Sequence, residues 1–272
     1  MEVKRVIQVY FSPTDSTKNI IKEISKGLDI DNKVEYDLTK PQVRDNFKLK
    51  LNKDDLLLIG VPVYEEQLPE LLKPALKNIT GNNQLAVTTA VYGNIGYGIT
   101  LDQMNEILRN NGLNILGSAA FIGEHSFSNP DLKIADKRPD SDDLMKAEIF
   151  GRNMANKIYH FDHKVNMEEI KVDGSLPLVS KILPQGSINM FADIPSVQKT
   201  KCNECGICYA ACPVNAINNT NFTVAEENCI RCFACVKKCP QKARSIDIKK
   251  KLIAKNFLKF RGSQRKEPEF FY

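Results

Sequence analysis

Apolar and polar positions over the first 160 residues switch between two periods. VKRVIQVYF (3–11) reads as a buried strand, and STKNIIKEISKGL (16–28) then turns to a helical period that sets Ile20, Ile21, Ile24 and Leu28 on one side. The alternation continues with KVEYDLT (33–39) as a strand. DLLLIGVPV (55–63) is a continuous apolar run, as in a parallel strand covered on both faces. Residues 69–79 read as a helix, 84–93 as a strand, 97–112 as a helix, 113–123 as a strand and 141–161 as a final helix. Five strands alternating with helices predict an α/β fold, a doubly wound five-stranded parallel sheet over residues 1–160. Such sheets bind ligands at the carboxyl ends of their strands, near the point where strand order reverses. Three loops should meet there: SPTDST after the first strand, PVYEEQ after the third and YGNIGYG after the fourth.

Beyond residue 160 the periodicity lapses. Residues 161–196 contain Gly174, Pro177, Pro184, Gly186 and Pro195, which predicts an irregular connector with one short helix. Its apolar stretch SLPLVSKILPQGSINMF suits packing on both neighbours. All eight cysteines follow, as Cys202-x2-Cys205-x2-Cys208-x3-Cys212-Pro213 and Cys229-x2-Cys232-x2-Cys235-x3-Cys239-Pro240. Each recurs 27 positions later, an internal repeat. Four disulfides in an exported chain would be irregularly spaced, and zinc sites commonly use two CxxC pairs. Three closely spaced thiolates with a distant fourth suit the corners of an iron-sulfur cubane.

Residues 197–247 resemble a bacterial two-cluster ferredoxin, including the proline after each fourth cysteine and the small residues Gly206 and Ala234 between ligands. In runs of this type the fourth cysteine ligates the other cluster. One [4Fe-4S] cluster is therefore expected on Cys202, Cys205, Cys208 and Cys239, and the other on Cys229, Cys232, Cys235 and Cys212. Ferredoxins of this family are commonly acidic, whereas residues 197–247 carry 7 Lys+Arg against 4 Asp+Glu. Lys237, Lys238, Lys242 and Arg244 lie around the last ligand and form a candidate patch for an acidic redox partner such as a ferredoxin, flavodoxin or reductase.

The three sheet loops resemble those of flavodoxins, so the chain as a whole is similar to flavodoxin-ferredoxin fusion proteins. The flavodoxin loop [ST]-x-T-G-x-T holds the FMN phosphate; here Ser12, Thr14, Ser16 and Thr17 supply the hydroxyls, and Asp15 replaces the glycine. A carboxylate about 5 Å from a phosphate charge costs about 3 kcal/mol at an effective dielectric near 20. Asp15 is therefore expected to turn outward, screened by Lys18, in the left-handed backbone conformation that Asp tolerates. The resemblance places the flavin ring between Tyr64, with Pro62 and Val63 in the same loop, and Tyr97, near Tyr92, Gly93 and Asn94. His125 and Glu124 reach the same rim, while His160 and His163 read as end-of-helix residues. No G-x-G-x-x-G follows the first strand, which argues against a built-in NAD site.

Charge divides the chain: residues 1–196 carry 23 Lys+Arg against 27 Asp+Glu, and residues 197–272 carry 15 against 6. Residues 248–272 form a basic tail with Leu252, Ile253, Phe257, Leu258 and Phe260 among the bases. It is expected to cover the ferredoxin segment, with peripheral membrane contact as the alternative; nucleic acid is not an expected partner. No apolar run approaches the ~20 residues that span a bilayer and no export signal is present, so the expected location is cytoplasmic. The expected function is electron transfer between FMN and two [4Fe-4S] clusters, coupling one- and two-electron partners. The alternatives are a flavin-dependent reductase of a small organic substrate and a ferredoxin whose flavodoxin-like part serves only for docking.

Overall fold

The apolar runs become the centre of one sheet. In the computed structural model, which describes residues 3–160, 169–172, 174–176, 186, 188–249, 256, 258, 260–262 and 264–272, five strands lie parallel. They are β1 (Arg5–Tyr10), β2 (Lys33–Asp37), β3 (Asp55–Pro62), β4 (Gln84–Tyr92) and β5 (Leu113–Ile122). A sixth, β6 (Glu269–Phe271), pairs antiparallel with β5, giving the order β6-β5-β4-β3-β1-β2. Without β6 the order is 2-1-3-4-5, the flavodoxin-type doubly wound topology, with the switch between β1 and β3. Alternate side chains of each strand feed two cores. On one face Ile20, Ile21, Ile24 and Leu28 pack with Ala147, Phe150 and Met154 of helix Ser141–Tyr159; on the other, Leu101, Met104 and Leu108 of helix Thr100–Asn110 pack with Leu72 and Leu76.

Helices Ser16–Gly27 and Ser141–Tyr159 touch backbone to backbone. A Cβ on Gly27 would stand 2.0 Å from the Glu148 carbonyl oxygen, so only glycine admits this approach.

Two expectations need correction. The helix expected over 69–79 is a 3-10 turn, Glu70–Leu72, running into the short helix Lys73–Lys77, because Pro74 is tolerated only in a first turn. Ile79–Thr80 then pairs with Leu49–Lys50. The sheet has six strands rather than five, because the end of the basic tail joins it. Phe270 stacks on Phe150 at 5.3 Å with ring planes 13° apart, so an aromatic pair from two distant parts of the sequence closes this edge. Leu252, Ile253, Phe257 and His163 lie outside the described residues. Leu258 is buried with Phe127, Ile134 and Phe233, whereas Phe260 is 86% exposed. The cysteine segment holds helices Ile207–Ala210 and Ala234–Lys237, a 3-10 turn at Glu226–Asn228 and the antiparallel pair Ser196–Val197 with Arg244–Ser245. It is an excursion from the sheet that returns at β6.

Candidate functional site

The 27-residue repeat is visible in the backbone. Positive φ occurs at Glu204, Gly206 and Asn215 and again, 27 residues on, at Arg231, Phe233 and Lys242. The N–H groups of Ala216 and Ala243 each donate to the sulfur of the fourth cysteine before them, Cys212 and Cys239, at 3.2 Å. Cys202, Cys205, Cys208 and Cys239 ring one cavity, so the structure brings Cys239 beside the first three cysteines. Cys229, Cys232 and Cys235 all lie within electrostatic reach of Cys212. Burial pushes the Cys232 thiol well up and that of Cys235 up to about 12, an obstacle that iron ligation removes by binding the thiolate. Among the described residues no three His, Cys, Asp or Glu side chains converge on a single-ion site. Four soft donors around a cavity, with backbone donors to sulfur, fit a cluster.

The two sulfur sets differ in position. Cys205 is exposed beside Ile207 and Tyr209, while the loop of Cys229, Cys232 and Cys235 faces the sheet. Phe233 is buried and packs on Phe127 at 5.1 Å. Lys237 Nζ pairs with Glu124 at 2.5 Å and donates to the Ser128 carbonyl, and Arg44 donates to the Pro213 carbonyl at 2.7 Å. Two of the four bases expected to meet an outside partner, Lys237 and Lys238, therefore pair with carboxylates of the chain's own sheet domain; Arg244 is buried, and Lys242 is exposed. Gly206 and Ala234 are not repeat equivalents either: Gly206 corresponds to Phe233.

A cleft with about 540 Å³ of empty space, partly open to solvent, lies at the carboxyl ends of β1, β3 and β4. It is lined by Ser12, Thr14, Ser16 and Thr17, by Pro62, Val63 and Tyr64, by Tyr92 and Gly93, by Glu124 and His125, and by Cys232. Ser12 Oγ accepts the N–H of Lys18 and so organises the loop. The N–H groups of Ser16 and Thr17, at the start of the 12-residue helix, lead no intrahelical bond and add a positive dipole end. Asp15 has φ 67°, left-handed as expected. Its charge is screened not by Lys18, which lies 5.8 Å over the Tyr10 ring, but by Lys238 at 3.0 Å.

Two expected ring contacts are elsewhere. Tyr97 does not line the cleft: its hydroxyl donates to Glu269 at 3.0 Å and its ring meets Tyr92 and Phe271, because β6 occupies that side. Asn94 spends its side-chain N–H groups on the carbonyls of Gly262 and Gln264, at 2.9 and 2.8 Å, and also lies off the cleft. His125 stands in their place, approaching Gly93 so closely that a Cβ there would lie 2.6 Å from its ring. Its Nδ1 accepts from the Phe127 N–H, and burial beside Lys237 lowers its pKa to about 4, so it is neutral with Nε2 protonated. Burial likewise pushes the Tyr64 phenol up. His160, at the end of its helix, is exposed, with Nδ1 near the Asn156 carbonyl.

Sequence reasoning missed the turn that follows Tyr64. Glu65 and Glu66 have φ 54° and 60°, in a two-residue hairpin closed by reciprocal bonds between Tyr64 and Gln67 of 3.1 and 2.9 Å. Left-handed backbone costs about 1–2 kcal/mol at each non-glycine residue. The Glu65 carboxylate offsets this by accepting the N–H groups of Gly186 and Ile188, which moors the connector to the cleft wall.

The family model described as a 4Fe-4S dicluster domain matches residues 194–240. An uncharacterized ferredoxin of Methanocaldococcus jannaschii is 34% identical over 100 residues, covering 32% of this chain and 65% of that protein, so less than two thirds of the relative is spanned. Among solved structures, a flavodoxin from the domain Archaea aligns with 14% identity over 57% of this chain and 99% of its own, at a TM-score of 0.37. Flavodoxin 2 from Bacillus cereus aligns with 14% identity over 56% of this chain and 99% of its own, at 0.41. A Fusobacterium nucleatum flavodoxin bound to flavin mononucleotide does so with 14% identity over 58% and 98%, at 0.39. Among the described residues no helix is long and apolar enough to cross a membrane. The matched segment is an iron-sulfur domain with an electron-transfer role, and with a sheet of flavodoxin-type strand order before it the architecture fits a flavodoxin-ferredoxin fusion.

Proposed function

We propose that this chain couples two [4Fe-4S] clusters to an FMN bound in the cleft, and so joins one-electron to two-electron redox partners. The observation that carries the reading is that Cys232, a ligand of the sheet-facing set, lines the same cleft as the hydroxyls of Ser12, Thr14, Ser16 and Thr17. When bound, the clusters exchange single electrons and the flavin exchanges pairs. Ser16 and Thr17 offer hydroxyl and N–H donors at the phosphate end, and Asp15 turns its carboxylate toward Lys238, away from that charge. Tyr64 supplies a wall, and the neutral His125 offers an Nε2–H donor that stays uncharged at neutral pH. Phe233, Lys237 and Lys238 fix the cysteine loop against the cleft. Cys205 leaves the other sulfur set open to an external protein, and acidic redox proteins suit Lys242 at that end.

One observation favours a second reading, a ferredoxin whose sheet domain serves for docking alone: Tyr97 is held by β6 and Asn94 by Gly262 and Gln264. The test is to purify and reconstitute the protein anaerobically, denature it, and quantify flavin, iron and sulfide. About one FMN with two clusters per chain supports the coupled reading. Two clusters without flavin, even after incubation with FMN, would leave the docking reading.

A further inference from the structure

Four arginines are buried among the described residues, and three of them leave no buried donor without a partner there. Arg44 donates to the carbonyls of Leu38 and Pro213, and Arg138 forks onto Asp143. Arg231 spends Nε, Nη1 and Nη2 on the carbonyls of Ala192 and Cys229 and the carboxylate of Glu226. Arg244 differs. It is 4% exposed, its Nη2 donates to the Phe222 carbonyl, and its Nε and Nη1 are buried without a hydrogen-bond partner among the described residues.

Its place in the repeat sharpens the anomaly. Arg244 is the 27-residue equivalent of Ile217, an ordinary buried apolar residue at 3% exposure. The backbone of Arg244 is pinned by pairing with Val197, and its side chain borders the cavity ringed by Cys202, Cys205, Cys208 and Cys239. Its charge is also felt at Cys235 and Cys229 of the other set. The guanidinium therefore lies within electrostatic reach of both sulfur sets. A desolvated cation with unmet donors is among the costliest groups a fold can hold, unless anions stand beside it.

We propose that Arg244 is a shared tuning cation, its Nε–H and Nη1–H directed at sulfur atoms of the bound clusters and its fixed charge favouring their reduced states. The proposal rests on the two-cluster assignment and is independent of flavin. A [4Fe-4S] unit with four thiolates is an anion, and the electron it takes from an external donor makes it more negative without making or breaking a bond. A buried cation stabilises that extra charge and raises the reduction potential, as do donors to sulfur. Arginine keeps its proton throughout, so the effect does not titrate away.

The test compares the reconstituted full chain with Arg244→Met and Arg244→Lys, after iron, sulfide and electron paramagnetic resonance have established two clusters in each. Dithionite titration with mediator dyes is then followed by the resonance of the reduced clusters. In Arg244→Met at least one cluster should become tenfold or more harder to reduce, which is about 59 mV for a one-electron couple. Arg244→Lys, which keeps the charge and loses the fork, should fall between. Wild-type potentials in a fully loaded Arg244→Met would overturn the proposal. If that variant fails to load, wild-type protein labelled with 15N-arginine decides: one Nε–H resonance should be hyperfine-shifted and should move on reduction, and a set of arginine resonances all at diamagnetic positions would refute the role. A wild-type chain that loads fewer than two clusters would remove the assignment beneath the proposal, and the proposal with it.

Discussion

The two halves of the cysteine repeat share one backbone and face different surroundings. Both place left-handed residues at the same three steps and both donate an N–H to the fourth sulfur. Their side chains diverge in the short helices: Gly206, Ile207, Tyr209, Ala210 and Ala211 in the first half stand where the second has Phe233, Ala234, Val236, Lys237 and Lys238. Ile207 and Tyr209 are 41% and 43% exposed, against 6% and 0% for Phe233 and Ala234. A symmetric pair of sulfur cages is thus made directional by a few side chains, one end kept open and the other seated on the cleft.

Breaking the cages has the largest effect. Cys239→Ser should abolish the cluster on Cys202, Cys205 and Cys208 and leave half the iron and sulfide, whereas a loss confined to the cluster on Cys229, Cys232 and Cys235 would refute the crossed assignment. The seating is tested next, by paired substitutions at equivalent positions. Phe233→Ala removes a buried ring and should cost about 3–5 kcal/mol in anaerobic urea denaturation. Gly206→Ala meets no atom within 4 Å and should cost only the left-handed backbone, about 1–2 kcal/mol. Equal losses would mean that Phe233 is not what holds the second half in place. The smallest effect belongs to Asp15 and Lys238, whose side chains are 51% and 32% exposed. A double-mutant cycle with Asp15→Asn and Lys238→Met should give a coupling of about 0.2–1 kcal/mol that fades with added salt. Coupling that is absent at low salt would leave the glycine-to-aspartate exchange without a docking role.

Legibility followed the range of the interactions. The five parallel strands were readable because β3 and β4 are buried on both faces and are therefore dominated by apolar residues. The dicluster segment was readable because cubane chemistry fixes local cysteine spacing. What escaped depends on remote partners. The three residues of β6 carry too little pattern to declare a strand, and their arrival reassigns Tyr97 and Asn94. The partner of Asp15 lies 223 positions away, so the nearer Lys18 looked sufficient. Arg244 read as one more surface base, although the same repeat that located the cysteines sets it opposite the buried Ile217.

The return of the chain at β6 also orders the birth of the molecule. Residues 269–271 pair with Ser118, Ala119 and Ala120, so the outer edge of β5 cannot be covered until the whole cysteine segment has left the ribosome. The cysteine segment can therefore take up iron and sulfide while that edge of the sheet is still open, and the last strand covers the edge afterwards.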